Sequence, residues 1–214
     1  MSGSFVRLEP LSGTHCDSLY AATEGQEALW RFLPYGPFDR AGFADFIARS
    51  EAQTHTLFYA ICDPETGAAL GIASYLRIDP DHGSAEVGHL NFSPALQGTR
   101  AATEAMVLMM AHVFELGYRR YEWKCDGRNL ASRRAAQRLG FSFEGVFRQH
   151  RVVKGQNRDT AWFSVLDREW PALAAVFSDW LNPVQFDVAG QQRRSLSAMT
   201  RGLIAQPDPA LTQA

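Results

Sequence analysis

The residues most able to do chemistry lie where a strand passes through a short loop into a helix, in the stretch NFSPALQGTRAATEA at residues 91–105. The first-turn backbone N–H groups of a helix have no partner inside the helix, and the helix dipole is positive at that end. Both features suit a phosphate group. The stretch therefore predicts an anion-binding loop from Gln97 to Ala102, although similar junctions also occur in α/β proteins that bind no ligand there.

The helix after this loop has one apolar face. Its apolar residues recur at helical spacing: Ala102, Ala105, Met106, Met109, Met110 and Val113. This spacing predicts a helix over about 101–116 that packs on a sheet, with its methionines in the core. The helix therefore serves to hold the loop in place.

Two separate motifs resemble one known family. The segment QGTRAATEA, Gln97 to Ala105, resembles the pyrophosphate-binding motif (Q/R-x-x-G-x-G/A) of the GNAT acetyltransferases, in the form seen in the ribosomal-protein N-terminal (RimJ/RimL-like) branch. Downstream, NLAS at 129–132, followed by LGF at 139–141 and EG at 144–145, resembles the N-x-x-S…GF…EG signature of that branch. Two motifs at the right separation are more specific than either alone. The resemblance covers residues 5–170 and leaves the C-terminal segment unexplained.

One residue departs from the motif. Arg100 stands where the family usually has its second loop glycine, so this position lacks glycine's freedom at positive φ. An arginine beside a diphosphate can supply charge-assisted hydrogen bonds instead. The alternative is that the Arg100 side chain points into solvent.

The resemblance implies acetyl-CoA as cosubstrate and a set of residues that contact it. These are Asn91, Phe92, Ser93, Gln97, Gly98, Thr99, Arg100, Ala101, Ala102 and Asn129. It also implies that an amide near Phe92 stabilises the oxyanion and that Ser132 protonates the leaving thiolate. The structural alternative is that Asn129 only caps the helix and Ser132 is only a first-turn residue.

Neither of the two motifs identifies the base that takes the proton of the attacking amine. Glu86 is the candidate, because it begins the strand that leads to the acetyl site and could act directly or through a water. It could equally be an ordinary strand-end carboxylate. His89 either lines the acceptor cleft or is packed in the core. Arg151 stands near the position where some ribosomal-protein acetyltransferases carry a carboxylate proposed as base, which argues against a ribosomal substrate.

Composition narrows the class of protein. The 214 residues are 46% hydrophobic and 12% aromatic, the profile of a globular chain, and a formal charge of −2 gives no overall field toward nucleic acid or anionic membranes. Three scattered cysteines suit neither a disulfide framework nor a zinc site, so no metal is expected. No stretch has the length of a membrane span, and no signal peptide is evident. These features predict a cytoplasmic protein.

The elements that position these residues follow a recognisable order. Short strands near 5–8, 57–61, 69–78 and 85–92 come first, with helices after Ser12 and Asp39, and then helix, strand, helix and two strands follow over 101–166. This order predicts a mixed α/β fold of the GNAT type, a central, mostly antiparallel, twisted sheet flanked by helices. The resemblance adds a V-shaped splay between the fourth and fifth strands. Residues 1–182 form the predicted domain, and 183–214 a tail, loosely structured or with a short helix near 195–203.

Two classes of function fit this sequence. The first is direct transfer of acetyl from acetyl-CoA to a primary amine, either a protein α-amine or a small molecule. The second is a CoA-binding module that has lost catalysis and acts as a sensor or partner domain. Aromatic residues at 30–38 either form a wall of the acceptor site or cover an edge of the core. A homodimer is an open alternative.

Overall fold

A computed structural model describes residues 1–211, so residues 212–214 of the predicted tail lie outside the described residues. The chain divides into two compact units, the first comprising Met1–Met110 and the second beginning at Ala111. Within the described residues, none of the helices combines the length and the apolar character that crossing a membrane requires.

The first unit contains four antiparallel strands in the order β1-β2-β3-β4. Its elements are β1 (Arg7–Pro10), α1 (Cys16–Thr23), α2 (Arg40–Glu51), β2 (Leu57–Cys62), β3 (Ala69–Asp79), β4 (Ser84–Phe92) and the start of α3 (Arg100–Glu115). The turn between β2 and β3 forms because the Asp63 carboxylate accepts the amides of Glu65 and Thr66. The predicted cap of α2 is also present, since Asp39 accepts the amide of Gly42 at 2.7 Å.

An aromatic cluster in the first unit and the apolar face of α3 are both buried. Trp30 is 3% exposed, and its ring lies against Tyr35, Phe38 and Phe43. The aromatic residues of the 30–38 loop therefore cover an edge of the core, the second of the two predicted alternatives. The methionines and small residues predicted for the α3 core are all buried: Ala102, Ala105, Met106, Met109, Met110 and Val113.

The second unit contains three antiparallel strands in the order β5-β7-β6. Its elements are β5 (Arg120–Asp126), α4 (Leu130–Arg138), β6 (Ser142–Val153), β7 (Gln156–Leu166), α5 (Trp170–Leu181) and α6 (Leu196–Thr200). Helix α5 was not predicted from the sequence. Its buried residues Leu173, Phe177 and Trp180 are spaced as on one helical face, so the signal was present in the sequence.

The C-terminal segment packs on α4. Helix α6 lies within the range predicted for a short helix, and Thr200 donates a hydrogen bond to the carbonyl of Arg138. Further along, Asp208 is fully buried and accepts two 2.6 Å hydrogen bonds from the guanidinium of Arg133, which is itself 6% exposed. A buried ion pair needs this bidentate geometry to offset its loss of hydration. The segment is thus held by a specific contact.

Candidate active site

The loop before α3 has the geometry of an anion cradle. Gly98 has φ of +73°, which glycine adopts without steric cost. The Thr99 hydroxyl accepts the Ala102 amide at 3.1 Å and so caps the helix. Within residues 1–211, the backbone amides of Gly98 and Ala101 donate no hydrogen bond to the protein. These amides are therefore able to bind an anion at the positive end of the helix dipole.

Two buried side chains next to this loop lack partners. The amide group of Asn91 (4% exposed) and the hydroxyl of Ser93 (1% exposed) make no hydrogen bond within the described residues. An unsatisfied buried polar group costs about 1–3 kcal/mol, so it usually has a water or ligand as partner. Both residues were predicted to contact acetyl-CoA, and their unmet hydrogen-bonding capacity fits a polar ligand such as its pantetheine arm.

The strand end also determines which backbone amide faces a ligand. The amide of Ser93 donates to the Leu70 carbonyl of β3 at 3.0 Å, so Ser93 can contribute its hydroxyl but not its amide. Because successive N–H groups along a strand point in opposite directions, the neighbouring Phe92 amide points away from β3. The Phe92 carbonyl accepts the side chain of Gln97 at 2.8 Å, which ties the strand end to the loop. Phe92 is thus the amide donor at this strand end.

Arg100 is held at the start of α3 in helical conformation, so the position does not need glycine's freedom at positive φ. Its guanidinium carbon lies 4.5 Å from the centroid of the Phe5 ring, in a cation–π contact. Phe5 is fixed in turn because the buried Glu104 carboxylate accepts the amides of Ser4 and Phe5 at 2.9 and 2.6 Å. The N-terminal segment therefore positions Arg100 at the edge of the loop.

In the second unit, Ser132 and Asn129 lie together at the start of α4. The Asn129 side-chain oxygen accepts the Ser132 amide at 3.1 Å, which is the capping role given above as the structural alternative. The indole N–H of buried Trp123 donates to the Ser132 hydroxyl oxygen at 3.0 Å. Since Trp123 can only donate, this bond leaves the Ser132 proton available to another acceptor. This contact was not predicted from the sequence.

Cys125 is buried on β5 beside Ser132. Burial raises the pKa of its thiol to about 11, with a smaller opposing effect from its hydrogen bond to Ser132. The thiol is therefore neutral at physiological pH, whereas a cysteine nucleophile needs its thiolate. Covalent catalysis by Cys125 has no support in this geometry.

Glu86 is buried on β4, and its carboxylate pairs with the guanidinium of Arg77 at 2.6 Å. The carboxylate extends along the strand, because its Oε1 lies 3.9 Å from where a Cβ of Gly88 would be. Phe92 lies four positions after Gly88, which corresponds to about 13 Å of extended strand. A proton from an amine near Phe92 would therefore reach Glu86 through intervening groups and not by direct contact.

His89 lies between these two positions, at an irregularity in the pairing of β3 and β4, and its φ is +52°. Its Nδ1 is 2.8 Å from the Tyr35 hydroxyl, and its ring lies 5.0 Å from that of Phe58. Burial, with a smaller effect from Arg77, lowers the pKa of His89 to about 4. His89 is thus a neutral, packed side chain, in line with the second of its two predicted roles.

The chain has one cluster of metal-binding residue types in its described part, formed by Glu9, His15 and Cys62. The Ser12 amide donates to Nδ1 of His15, so the ring proton is on Nε2, which faces the Glu9 carboxylate at 3.1 Å. Burial raises the pKa of the Cys62 thiol to about 11. A donating Nε2 and a protonated thiol are poor ligands, and hydrogen bonds within the protein account for the positions of His15 and Glu9.

Comparison with known proteins agrees with this geometry. The model of the family described as acetyltransferase (GNAT) domain matches residues 6–142, more than half of the chain. The chain therefore belongs to the GNAT acetyltransferase family. The matched residues include the loop before α3, the end of β4 and the start of α4.

Individual relatives support the same assignment. The crystal structure of a GCN5-related N-acetyltransferase from Brucella melitensis is 47% identical, has a TM-score of 0.90 and covers 94% of this chain and 93% of its own. The predicted α/β fold of GNAT type is thereby confirmed. An uncharacterized N-acetyltransferase, p20 of Bacillus licheniformis, is 30% identical over 52% of this chain, and the chain spans only 63% of its length.

A third relative shows the fold alone. It is an acetyltransferase from Salmonella typhimurium that modifies the N-terminal serine of the 50S ribosomal subunit protein L7/L12. It is 20% identical, with a TM-score of 0.67 over 77% of this chain and 96% of its own.

Proposed function

We propose that this protein is an acetyl-CoA-dependent N-acetyltransferase that transfers acetyl directly to a primary amine in a ternary complex. The observation that carries the proposal is that the buried side chains of Asn91 and Ser93, beside the loop of Gly98, have no hydrogen-bond partner among residues 1–211. Polar groups in such positions need a ligand or water, and the adjoining helix start suits a diphosphate. Acetyl-CoA offers both a polar arm and a diphosphate.

The remaining residues of the loop bind the cosubstrate. The amides of Gly98 and Ala101 and the cation of Arg100 hold the diphosphate, and Gln97, Thr99 and Ala102 shape the cradle. Asn129 donates its side-chain N–H₂ to the pantetheine, because its oxygen is used by the helix cap.

The chemistry needs an activated acyl group, which acetyl-CoA supplies as a thioester. The neutral amine forms a bond to the carbonyl carbon, and the Phe92 amide stabilises the oxyanion, an interaction worth about 3 kcal/mol in comparable sites. The C–S bond then breaks with its electron pair on sulfur, and the Ser132 hydroxyl gives sulfur its proton. The Trp123 N–H stabilises the charge left on the Ser132 oxygen, which regains a proton from water. Glu86 accepts the amine proton through intervening groups and releases it to solvent, which balances the proton that Ser132 takes up.

A protein α-amine is the favoured acceptor. Its pKa of about 7.7–8.0 leaves a useful neutral fraction at pH 7, whereas a lysine amine near 10.4 is almost fully protonated. The Salmonella relative, whose fold is similar, modifies an N-terminal serine. Small amines remain the alternative acceptors.

The test combines thermal unfolding with turnover. Saturating acetyl-CoA should raise the Tm, and thiol release should appear with at least one amine in a panel of N-terminal peptides, polyamines and lysine peptides. Ser132→Ala serves as the control, because it should keep the Tm shift while losing kcat. A Tm shift without turnover would support the inactive CoA-binding module instead. The absence of any shift would exclude both functions.

A further inference from the structure

The hairpin of β6 and β7 exposes a surface that no step of the proposed reaction uses. We define the basic hairpin as residues 146–158. From this surface we infer that the acceptor is a polypeptide with acidic residues close behind its N-terminal amine, and that these residues dock on the basic hairpin. The inference rests on the proposed function and adds to it the class of acceptor.

The charge of the basic hairpin differs from that of the whole chain. Residues 148–158 carry four basic side chains, Arg148, Arg151, Lys154 and Arg158, and no carboxylate, although the chain has a net charge of −2. The first three of these are exposed and the last is half-buried. Such a local group of cations attracts an anionic partner at short range, because salt limits the range of the interaction between exposed charges to about 8 Å under physiological conditions.

The Asp159 carboxylate at the hairpin base offsets only part of this charge. One carboxylate against four cations leaves residues 148–159 with a net charge of +3. Asp159 accepts the amide of Gln149 at 2.7 Å and the side chain of Asn157 at 3.0 Å. These hydrogen bonds, the one from Gln149 above all, lower the pKa of Asp159, and its interaction with the Arg148 cation helps to lower it, so its carboxylate is ionised and bonded within the hairpin. They also hold Gln149 at φ of +48°, within a stretch where β6 has extra residues opposite β7. The resulting bulge gives the strand edge a fixed shape.

The surface suits a polypeptide better than a nucleic acid. Apolar side chains alternate with the cations, with Phe147 exposed by 54% and Val152 by 77%. A depression of about 780 Å³, lined by Phe147, Arg148, Gln149, His150, Asn157 and Asp159, can take a side chain. Among the described strands β6 pairs with β7 alone, so its outer edge can also bind backbone. Apolar contacts and an open strand edge recognise a peptide, whereas a phosphate backbone needs only charge.

The position of the hairpin connects it with the catalytic residues of the same unit. At its base Thr160 pairs with Asp126 of β5, and the Gly127 amide donates to the Asp159 carbonyl at 2.8 Å. The loop that begins at Asp126 ends at Asn129, the cap of α4. A chain docked on the hairpin can therefore extend toward the start of α4.

The test compares two peptides of equal length on the full-length protein. Both begin with the same two residues, and one carries Asp and Glu where the other carries Asn and Gln at positions three to eight. The acidic peptide should have a KM about tenfold lower at equal kcat, as expected for two or three exposed ion pairs. In Arg148→Glu/Arg151→Glu the KM for the acidic peptide should rise at least tenfold, with the neutral peptide unchanged. The preference should shrink in 0.5 M salt.

Arg194→Glu/Arg201→Glu is the matched control, because it makes the same charge change at two exposed arginines of the same unit outside the hairpin. Its preference for the acidic peptide should equal that of the wild type. Equal loss in both double variants would mean that total charge, and not the hairpin, sets the preference, and would overturn the inference.

Fluorescence anisotropy with a labelled acidic peptide separates this inference from the proposed function, because it needs no turnover. Binding that is lost in the hairpin variant supports the inference even if transfer fails. Turnover of both peptides with equal KM would overturn the inference and leave the proposed function intact. Tighter, hairpin-dependent binding of a labelled oligoribonucleotide than of the acidic peptide would also overturn it.

Discussion

The contact between Trp123 and Ser132 gives the sharpest prediction for the mechanism. Trp123→Phe removes the only group of this side chain that hydrogen-bonds Ser132, at 3.0 Å, and keeps an aromatic ring against Phe141, whose centroid is 5.6 Å away. The variant should therefore fold, and its Ser132 should lose the donor that stabilises the oxygen while its proton moves to sulfur.

The size of the effect follows from the charge on the Ser132 oxygen. A neutral hydrogen bond contributes about 0.5–1.5 kcal/mol and one to a charged group about 1.5–3 kcal/mol. The oxygen is neutral before proton transfer and partly negative during it, so the transition state loses about 1.5 kcal/mol more than the ground state. Since 1.36 kcal/mol is a factor of ten in rate, kcat should fall about tenfold with little change in KM.

The assay is a double-mutant cycle with Ser132→Ala, using single-turnover measurements of thiol release so that product release does not mask the chemical step. In the Ser132→Ala background, Trp123→Phe should change the rate by less than about twofold. Trp170→Phe is the control for the loss of an indole, because Trp170 lies on α5 and packs on Phe114 and Phe177. Equal losses from Trp123→Phe in both backgrounds would refute a role through Ser132 and show an effect of packing.

Three further predictions concern binding and stability. Arg100→Ala should raise the Kd for CoA about tenfold at low salt and less at high salt, by calorimetric titration, and an unchanged Kd would show that the diphosphate is held by backbone alone. Asp208→Asn should lower the free energy of unfolding in urea by about 3–5 kcal/mol, because it leaves the Arg133 cation buried without its partner; a loss below 1 kcal/mol would contradict this. Because burial holds the folded-state pKa of His89 at about 4, below its usual 6.5, the unfolded chain binds the proton more tightly and stability falls as pH drops from 6.5 toward 4. Between pH 7 and pH 5 the free energy of unfolding in urea should fall by about 1–2 kcal/mol less in His89→Asn than in the wild type. Equal falls in the wild type and the variant would count against this prediction.

The sequence by itself determined the features that depend on neighbouring residues. The cap at Asp39, the turn at Asp63 and the apolar face of α3 each result from backbone hydrogen bonds or spacing within a few positions. The loop at Gly98 belongs to the same group, since one residue with positive φ before a helix defines it. The two family motifs added the expected roles of these positions, which local chemistry alone could not supply.

Tertiary structure decided the contacts between residues far apart in the chain. Trp123 meets Ser132 because a strand packs against the helix that follows it, and Arg133 meets Asp208 across 75 positions. Burial is also known only from the structure. It leaves the Asn91 side chain without a partner in the described part of the chain and lowers the pKa of His89. Such effects depend on which side chains the fold excludes from water together, and no spacing within the sequence encodes that directly.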